Sequence, residues 1–315
     1  MSFQYIILNC VNNCLILTLK ALNTLKLNLN GSSEPLVNYL KNFAKIQNSL
    51  LLEIDTEIKV FVAKIFTRDH SAIRFSSISF EDCFISIVSD NSKERGAARI
   101  KAGILIQLNK LIKMIERFGS DVDKEGKSDF IIRIDYDIMN KGNEIDYVAT
   151  TIAFENSYLK MKMNGFKPSE LFYLPDDRFK NDIFNVDDPV VLTLAPDTIN
   201  SVIKATDIVK MDPLSDIVRF YVENKDVYVS DSPGDENAKE PNFVYKLGTL
   251  ENDPGYPISA VILRDKFIQM VDRSDKGCRL ILGHRKNTMG EYIVDRILFD
   301  SEDGMTKVVV SIQRG

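Results

Sequence analysis

Gly126-Lys127-Ser128 ends like a phosphate-binding loop. In that motif backbone N–H groups cradle phosphates and the lysine reaches the terminal ones. Here the first glycine position is Asp121, whose carboxylate repels phosphate. The run also comes after a helical pattern and precedes a strand pattern, the reverse of what the mechanism needs, so residues 121–128 read as a solvated turn. Asp135 and Asp137 pair two carboxylates, a metal-ligand chemistry. With Arg133 they alternate with Ile132, Ile134, Tyr136 and Ile138, the period of a half-exposed strand. His70 sits beside Asp69 in a turn-like stretch with no nucleophile pattern nearby. His284-Arg285-Lys286-Asn287 reads as a polar hairpin loop. Cys10, Cys14, Cys83 and Cys278 form no zinc spacing with these two histidines and read as reduced, mostly packed thiols. There is no nucleophile elbow, HExxH or dinucleotide fingerprint. The expectation is a protein that is not an enzyme, with no catalytic residue, metal or cofactor.

What remains is positive charge on helices. The chain carries 40 Lys and Arg against 45 Asp and Glu, a formal net charge of −5, so any basic surface is local. Lys41 and Lys45 lie away from the apolar stripe of a first helix pattern. Lys110, Lys113 and Arg117 recur opposite the stripe of a second, and Arg99 and Lys101 precede it. Basic residues ahead of a helix oppose its dipole, so they are not caps. Lys204 and Lys210 belong to a third helix pattern, and Arg264, Lys266 and Arg273 to a fourth. Asp197, Asp207, Asp265 and Asp272 offset much of the later charge.

The four helix patterns cover residues 36–47, 102–118, 196–210 and 263–274. Their starts near Leu36, Ala102, Asp197 and Leu263 are 66, 95 and 66 residues apart. Ile-, Val- and Phe-rich strand patterns come after each helix. Repetition at a fixed interval marks an architecture built from one unit. The longer interval holds residues 174–189, rich in Asp and Pro, which read as a linker. A chain of 315 residues fits two domains. The expected division is an N-terminal extension (1–24), a first domain (25–175), a connector (176–195) and a second domain (196–315). Asn9, Asn12, Asn13 and Asn23 interrupt the apolar extension, which has no basic leader, so a signal peptide is not expected. Pattern alone leaves it open between an extra strand, a tail and an early start codon. No apolar run is long enough to span a bilayer, and no membrane role is expected. The fold class is α+β, each domain placing two helices on antiparallel sheets.

Three runs carry a resemblance. Leu40-Lys41-Asn42-Phe43-Ala44-Lys45-Ile46-Gln47 resembles the opening helix of the tailed-phage DNA polymerase sliding clamps. Leu171-Phe172-Tyr173-Leu174-Pro175-Asp176-Asp177, with Leu194-Ala195-Pro196-Asp197 after it, resembles that family's connector and entry to its second domain. Residues 199–229 are similar to the helix and hairpin that open the second domain in that family. The resemblance implies a homotrimeric ring around double-stranded DNA, bound without regard to sequence, with helices lining the hole and edge strands joining subunits. It implies a processivity factor for a DNA polymerase, opened by a clamp-loader ATPase, in the cytoplasm of a bacterial host if phage-encoded. Partner peptides would dock near Phe179, Ile183, Phe184 and Val186, which equally read as pins holding the connector down. A β-rich virion ring or fibre component and an unrecognised hydrolase or transferase are the alternatives.

Overall fold

The computed structural model describes residues 3–11, 14–21, 23–68, 71–90, 99–119, 130–141, 144–171, 186, 189–209, 216–234, 240–271, 276–286, 289 and 292–312. The chain divides into two compact units. Unit 1 comprises Met1–Ala63 and Ser77–Leu171; unit 2 comprises Lys64–Ser76 and Phe172–Gly315.

Unit 1 begins with a hairpin, β1 (Phe3–Val11) and β2 (Cys14–Ala21), which forms a two-stranded sheet of its own. Next come β3 (Asn23–Leu29), α1 (Glu34–Ala44), β4 (Leu50–Asp55), the start of β5 (Val60–Phe66), the end of β6 (Ala72–Ser79) and β7 (Ile85–Asp90). A second round adds β8 (Arg99–Ile104), α2 (Leu108–Gly119), β9 (Ile131–Lys141), β10 (Glu144–Glu155) and β11 (Lys160–Asn164). Unit 2 holds the rest of β5 and most of β6. To these it adds β12 (Val190–Leu194), α3 (Pro196–Val209), β13 (Ile217–Glu223), β14 (Asp226–Ser230) and β15 (Val244–Thr249). Its second round is β16 (Ser259–Leu263), α4 (Arg264–Met270), β17 (Cys278–Lys286), β18 (Tyr292–Ser301) and β19 (Thr306–Ser311). Each unit is therefore a strand–helix–strands motif made twice.

The two copies exchange strands. In unit 1, β3 pairs antiparallel with β9 (Asn23↔Tyr136 through Asn28↔Ile131), and β8 pairs with β4 (Leu50↔Ile104 through Asp55↔Arg99). Unit 2 does the same: β12 pairs with β17 (Val190↔Leu282) and β16 with β13 (Ile217↔Leu263). The strand entering each helix is thus bonded to the strand leaving the other. That brings α1 against α2, and α3 against α4.

Apolar side chains fix the helices to their sheets. α1 buries Leu36, Val37, Tyr39, Leu40 and Phe43; α2 buries Leu108, Leu111, Ile112, Met114, Ile115 and Phe118. Phe118 meets Phe130 and Phe154 at ring-centroid distances of 5.4 and 6.2 Å. In unit 2, Phe267 of α4 meets Phe220 and Phe299 at 6.0 and 5.8 Å. Such aromatic contacts add to the burial of their large apolar area.

The second helix is shorter than its pattern. Residues 99–104 are strand, and α2 starts at Leu108 rather than Ala102. Ile106 breaks the two apart: its φ is 55°, and its amide donates to Ser49 Oγ at 2.8 Å. The helix is capped from elsewhere, the Asn48 side-chain oxygen accepting from the Asn109 amide at 2.7 Å. The helix starts are Glu34, Leu108, Pro196 and Arg264, so the within-unit intervals are 74 and 68 residues, not two of 66. α4 has seven residues and stops at Met270, short of the expected 274.

Burial pushes the Cys83 thiol up to about 12, helped by the charge of Asp82, and the Cys278 thiol up to about 11, helped by Asp300. Both stay protonated at neutral pH. Residues 121–128 and His70 lie outside the described residues.

Candidate nucleic-acid interface

Because the buried stripe of each helix faces its sheet, the opposite stripe faces solvent. On α1 and its C-cap the exposed positions are Glu34, Asn38, Lys41 and Lys45; on α2 they are Asn109, Lys110, Lys113, Glu116 and Arg117. Five basic side chains thus stand against two acidic ones on adjoining helices. Lys41 Nζ reaches Glu116 Oε1 at 2.7 Å, a bridge between the two exposed faces. An exposed pair of this kind contributes at most about 1 kcal/mol. Lys110 and Lys113 have no ion-pair partner among the described residues. Such a surface attracts a polyanion and holds it loosely, because exposed charges are screened within about 8 Å at physiological salt.

Arg99 and Lys101 do not belong to this face. They lie on β8, and each neutralises a carboxylate of a neighbouring strand. The Arg99 guanidinium is 3.3 Å from Asp55 Oδ2 and 3.7 Å from Glu53 Oε2, and Glu53 is 1% exposed. Lys101 Nζ lies 2.9 Å from Asp146 Oδ1. Nothing in local sequence signals these partners; strand pairing alone brings them into reach. Asp135 likewise is buried rather than half-exposed. It accepts two hydrogen bonds from Arg133, both at 2.9 Å, and a third from Thr24 Oγ1 at 2.9 Å. Its oxygens are committed to structure, not poised for a metal.

Unit 2 presents a different helix pair. Lys204 is exposed on α3, and Lys266 is half-buried on α4. Asp197 and Asp265 are exposed beside them, with Asp207 half-buried. The Arg264 side chain is 11% exposed; its guanidinium donates to the carbonyl of Val209 at 3.5 Å and lies 3.9 Å from Asp265. It closes the C-terminal end of α3, where a cation meets the negative end of the helix dipole. Lys210 and Arg273 lie outside the described residues, as do Phe179, Ile183 and Phe184. Val186 is half-buried against Gly283 of β17, where an added Cβ would come within 3.2 Å of both Val186 methyls.

His284 departs from its sequence reading. β17 runs on to Lys286, so His284 is a buried strand residue, and the Tyr256 hydroxyl lies 3.1 Å from each ring nitrogen.

No family model and no curated protein matches the sequence. Solved structures do match. The A. fulgidus PCNA with the C-terminal region of FEN-1 bound is similar over 93% of this chain and 99% of its own, with 12% identity and a TM-score of 0.52. The H. pylori beta clamp solved with 5-chloroisatin is similar over 97% of this chain and 73% of its own, with 10% identity and a TM-score of 0.58. The DNA polymerase sliding clamp of Bacillus subtilis matches over 92% of this chain, at 10% identity and a TM-score of 0.53. This chain spans 65% of that clamp's length. The chain has the DNA sliding-clamp fold.

Because Arg99 faces two buried carboxylates, Arg99→Ala is expected to lower folding stability by about 1–3 kcal/mol in urea unfolding. Lys110→Ala, on the open helix face, is expected to change it by less than about 0.5 kcal/mol.

Proposed function

We propose that three copies of this chain close into a ring around duplex DNA and tether a replicative DNA polymerase as a processivity factor. The observation that carries this is the net basic face of α1 and α2, on the clamp fold, in a chain whose formal net charge is −5. In the ring the helices line the hole. Lys41, Lys45, Lys110, Lys113 and Arg117 meet phosphates, with Lys204 and Lys266 adding weaker contacts. Phosphate contacts hold the protein on DNA without reading sequence. Retention comes from encirclement, so contacts weak enough to break and re-form allow sliding. The chain has no catalytic part in this reading. A separate loader ATPase opens the ring, and the polymerase docks beside the connector through Phe179, Ile183, Phe184 and Val186. The setting is the cytoplasm, that of a bacterial host if the gene is a phage's.

Strand pairing inside the chain supports a particular seam. Within unit 2, β6 pairs antiparallel with β19 (Ala72↔Val310 through Ser76↔Thr306). β6 is the third strand counted after a unit's first helix, and β19 closes a unit's second repeat. The equivalents by position are β15 and β11. Among the described residues β15 pairs only with β14, and β11 only with β10. Both free edges carry exposed apolar side chains, Val244 at 51% and Met161 at 37%. Unpaired edges of this kind are covered in stable proteins. In the ring, β11 of one protomer pairs with β15 of the next, a head-to-tail contact whose rotation closes the circle. The match along nearly the whole A. fulgidus chain supports two units per chain, hence three chains per ring.

Native mass in solution is expected to be three times the chain mass. Met161→Asp and Val244→Asp, both at exposed positions, are each expected to reduce it to the monomer; an unchanged trimer would place the seam elsewhere. The triple variant Lys110→Glu, Lys113→Glu, Arg117→Glu is expected to stay trimeric and lose at least about tenfold in polymerase stimulation at low salt. Unchanged stimulation would remove α2 from the DNA-facing surface.

A further inference from the structure

The two units differ at one sheet edge. In unit 1, β3 is bonded on both sides: to β9, and to β7 through Leu25↔Asp90 to Leu29↔Ile85. In unit 2, β12 holds the same place in the repeat. It is bonded to β17, and no other strand pairs with it among the described residues.

The chain that would supply the missing strand runs between β15 and β16, as β7 runs between β6 and β8. In unit 2 this stretch, residues 250–258, contains Asp253-Pro254-Gly255-Tyr256-Pro257. Two prolines remove N–H donors that a ladder needs. Gly255 has φ +73° and its amide donates to Asp253 Oδ1 at 2.9 Å, so the segment is locked in a turn. The sequence itself forbids β7's counterpart.

A cleft of about 970 Å³ opens between β12 and this turn. Val191, 42% exposed, supplies an apolar side chain to it. Tyr256 forms a fixed wall, its ring edge-on to His284 at 5.1 Å and its hydroxyl hydrogen-bonded to that imidazole. Glu251 and Asp253 are exposed and line the same opening.

We propose that this cleft takes an extended peptide of a partner protein, which joins β12 as an antiparallel strand where unit 1 has β7. The peptide alternates apolar residues with Lys or Arg. Main-chain bonds to the open edge supply affinity, and alternate side chains supply selectivity. The apolar positions cover Val191 and Tyr256, and the basic ones meet Glu251 and Asp253. Charge argues against the chain's own connector as occupant: residues 176–188 hold Asp176, Asp177, Asp182, Asp187 and Asp188 against Arg178 and Lys180. The cleft and the missing strand carry this site independently of any DNA contact.

The test uses the full-length protein and a terminally blocked heptapeptide of alternating lysine and valine, with backbone amide exchange as the readout. The peptide is expected to slow exchange within β12 and to leave the distant strands unchanged. The double variant Glu251→Lys, Asp253→Asn, which reverses one charge, removes the other and keeps a side-chain oxygen for the Gly255 amide, is expected to weaken binding at least about tenfold without altering thermal unfolding. The matching glutamate–valine heptapeptide is expected not to bind. Protection that maps away from β12, indifference to the double variant, or β12 amides already slow on both edges in the free protein would each overturn the proposal.

Discussion

The exchange of strands between repeats is the constraint that sets the other features of each unit. A helix preceded by one strand and succeeded by others could pack in many ways. Once the entering strand of one repeat is bonded to the leaving strand of the other, the two helices have nowhere to go but side by side. The registers Leu50↔Ile104 and Ile217↔Leu263 fix this in the two units separately. A slip of one residue would exchange Leu50, Leu52 and Ile54 with Leu51, Glu53 and Asp55, which are buried on the other face, because side chains alternate across a strand. Burial on both faces of β4 therefore fixes the register that sets the helices side by side.

Charge is distributed in a way that this scaffold makes useful. Buried acids are met by strand cations: Glu53 and Asp55 by Arg99, Asp135 by Arg133, and Asp300 by Arg279. Those cations are not spare. Lys110 and Lys113, standing outside any such pair, leave the α1–α2 face net positive. The α3–α4 pair is close to balanced, and its most promising guanidinium, Arg264, is spent on a helix terminus. In the proposed ring, basic and near-neutral helix pairs alternate, so DNA experiences three attractive sectors rather than a uniform collar.

Much of the fold was legible in the sequence for identifiable reasons. Residues 199–229, expected as a helix and hairpin, fall in α3, β13 and β14, and Asn224 and Lys225 take the positive φ values of 49° and 71° that a two-residue hairpin turn requires. α3 spans Pro196–Val209 against the expected 196–210, and its buried face carries Ile199, Val202 and Ile203. The beginning of α2 was not legible, because Ala102-Gly103-Ile104-Leu105-Ile106 is an apolar run that suits a buried strand as well as a helix. What decides between them is distant: β4 pairs with residues 99–104, and Asn48 caps the helix from 61 positions away. The same distance hid the true role of Arg99 and Lys101. The open edge of β12 was equally invisible, since it emerges only when two repeats are compared strand by strand. The 66-residue spacing pointed to the right architecture through the wrong helix start.

Encirclement is the central claim, and it is tested most directly by changing DNA topology without changing DNA chemistry. The protein is loaded by a cognate loader onto a nicked circular duplex and passed through a sizing column at a salt concentration that abolishes simple electrostatic binding. The account predicts that it travels with the circle, and that a single double-strand cut releases it. Equal retention on circular and cut DNA, or loss from both, would contradict it.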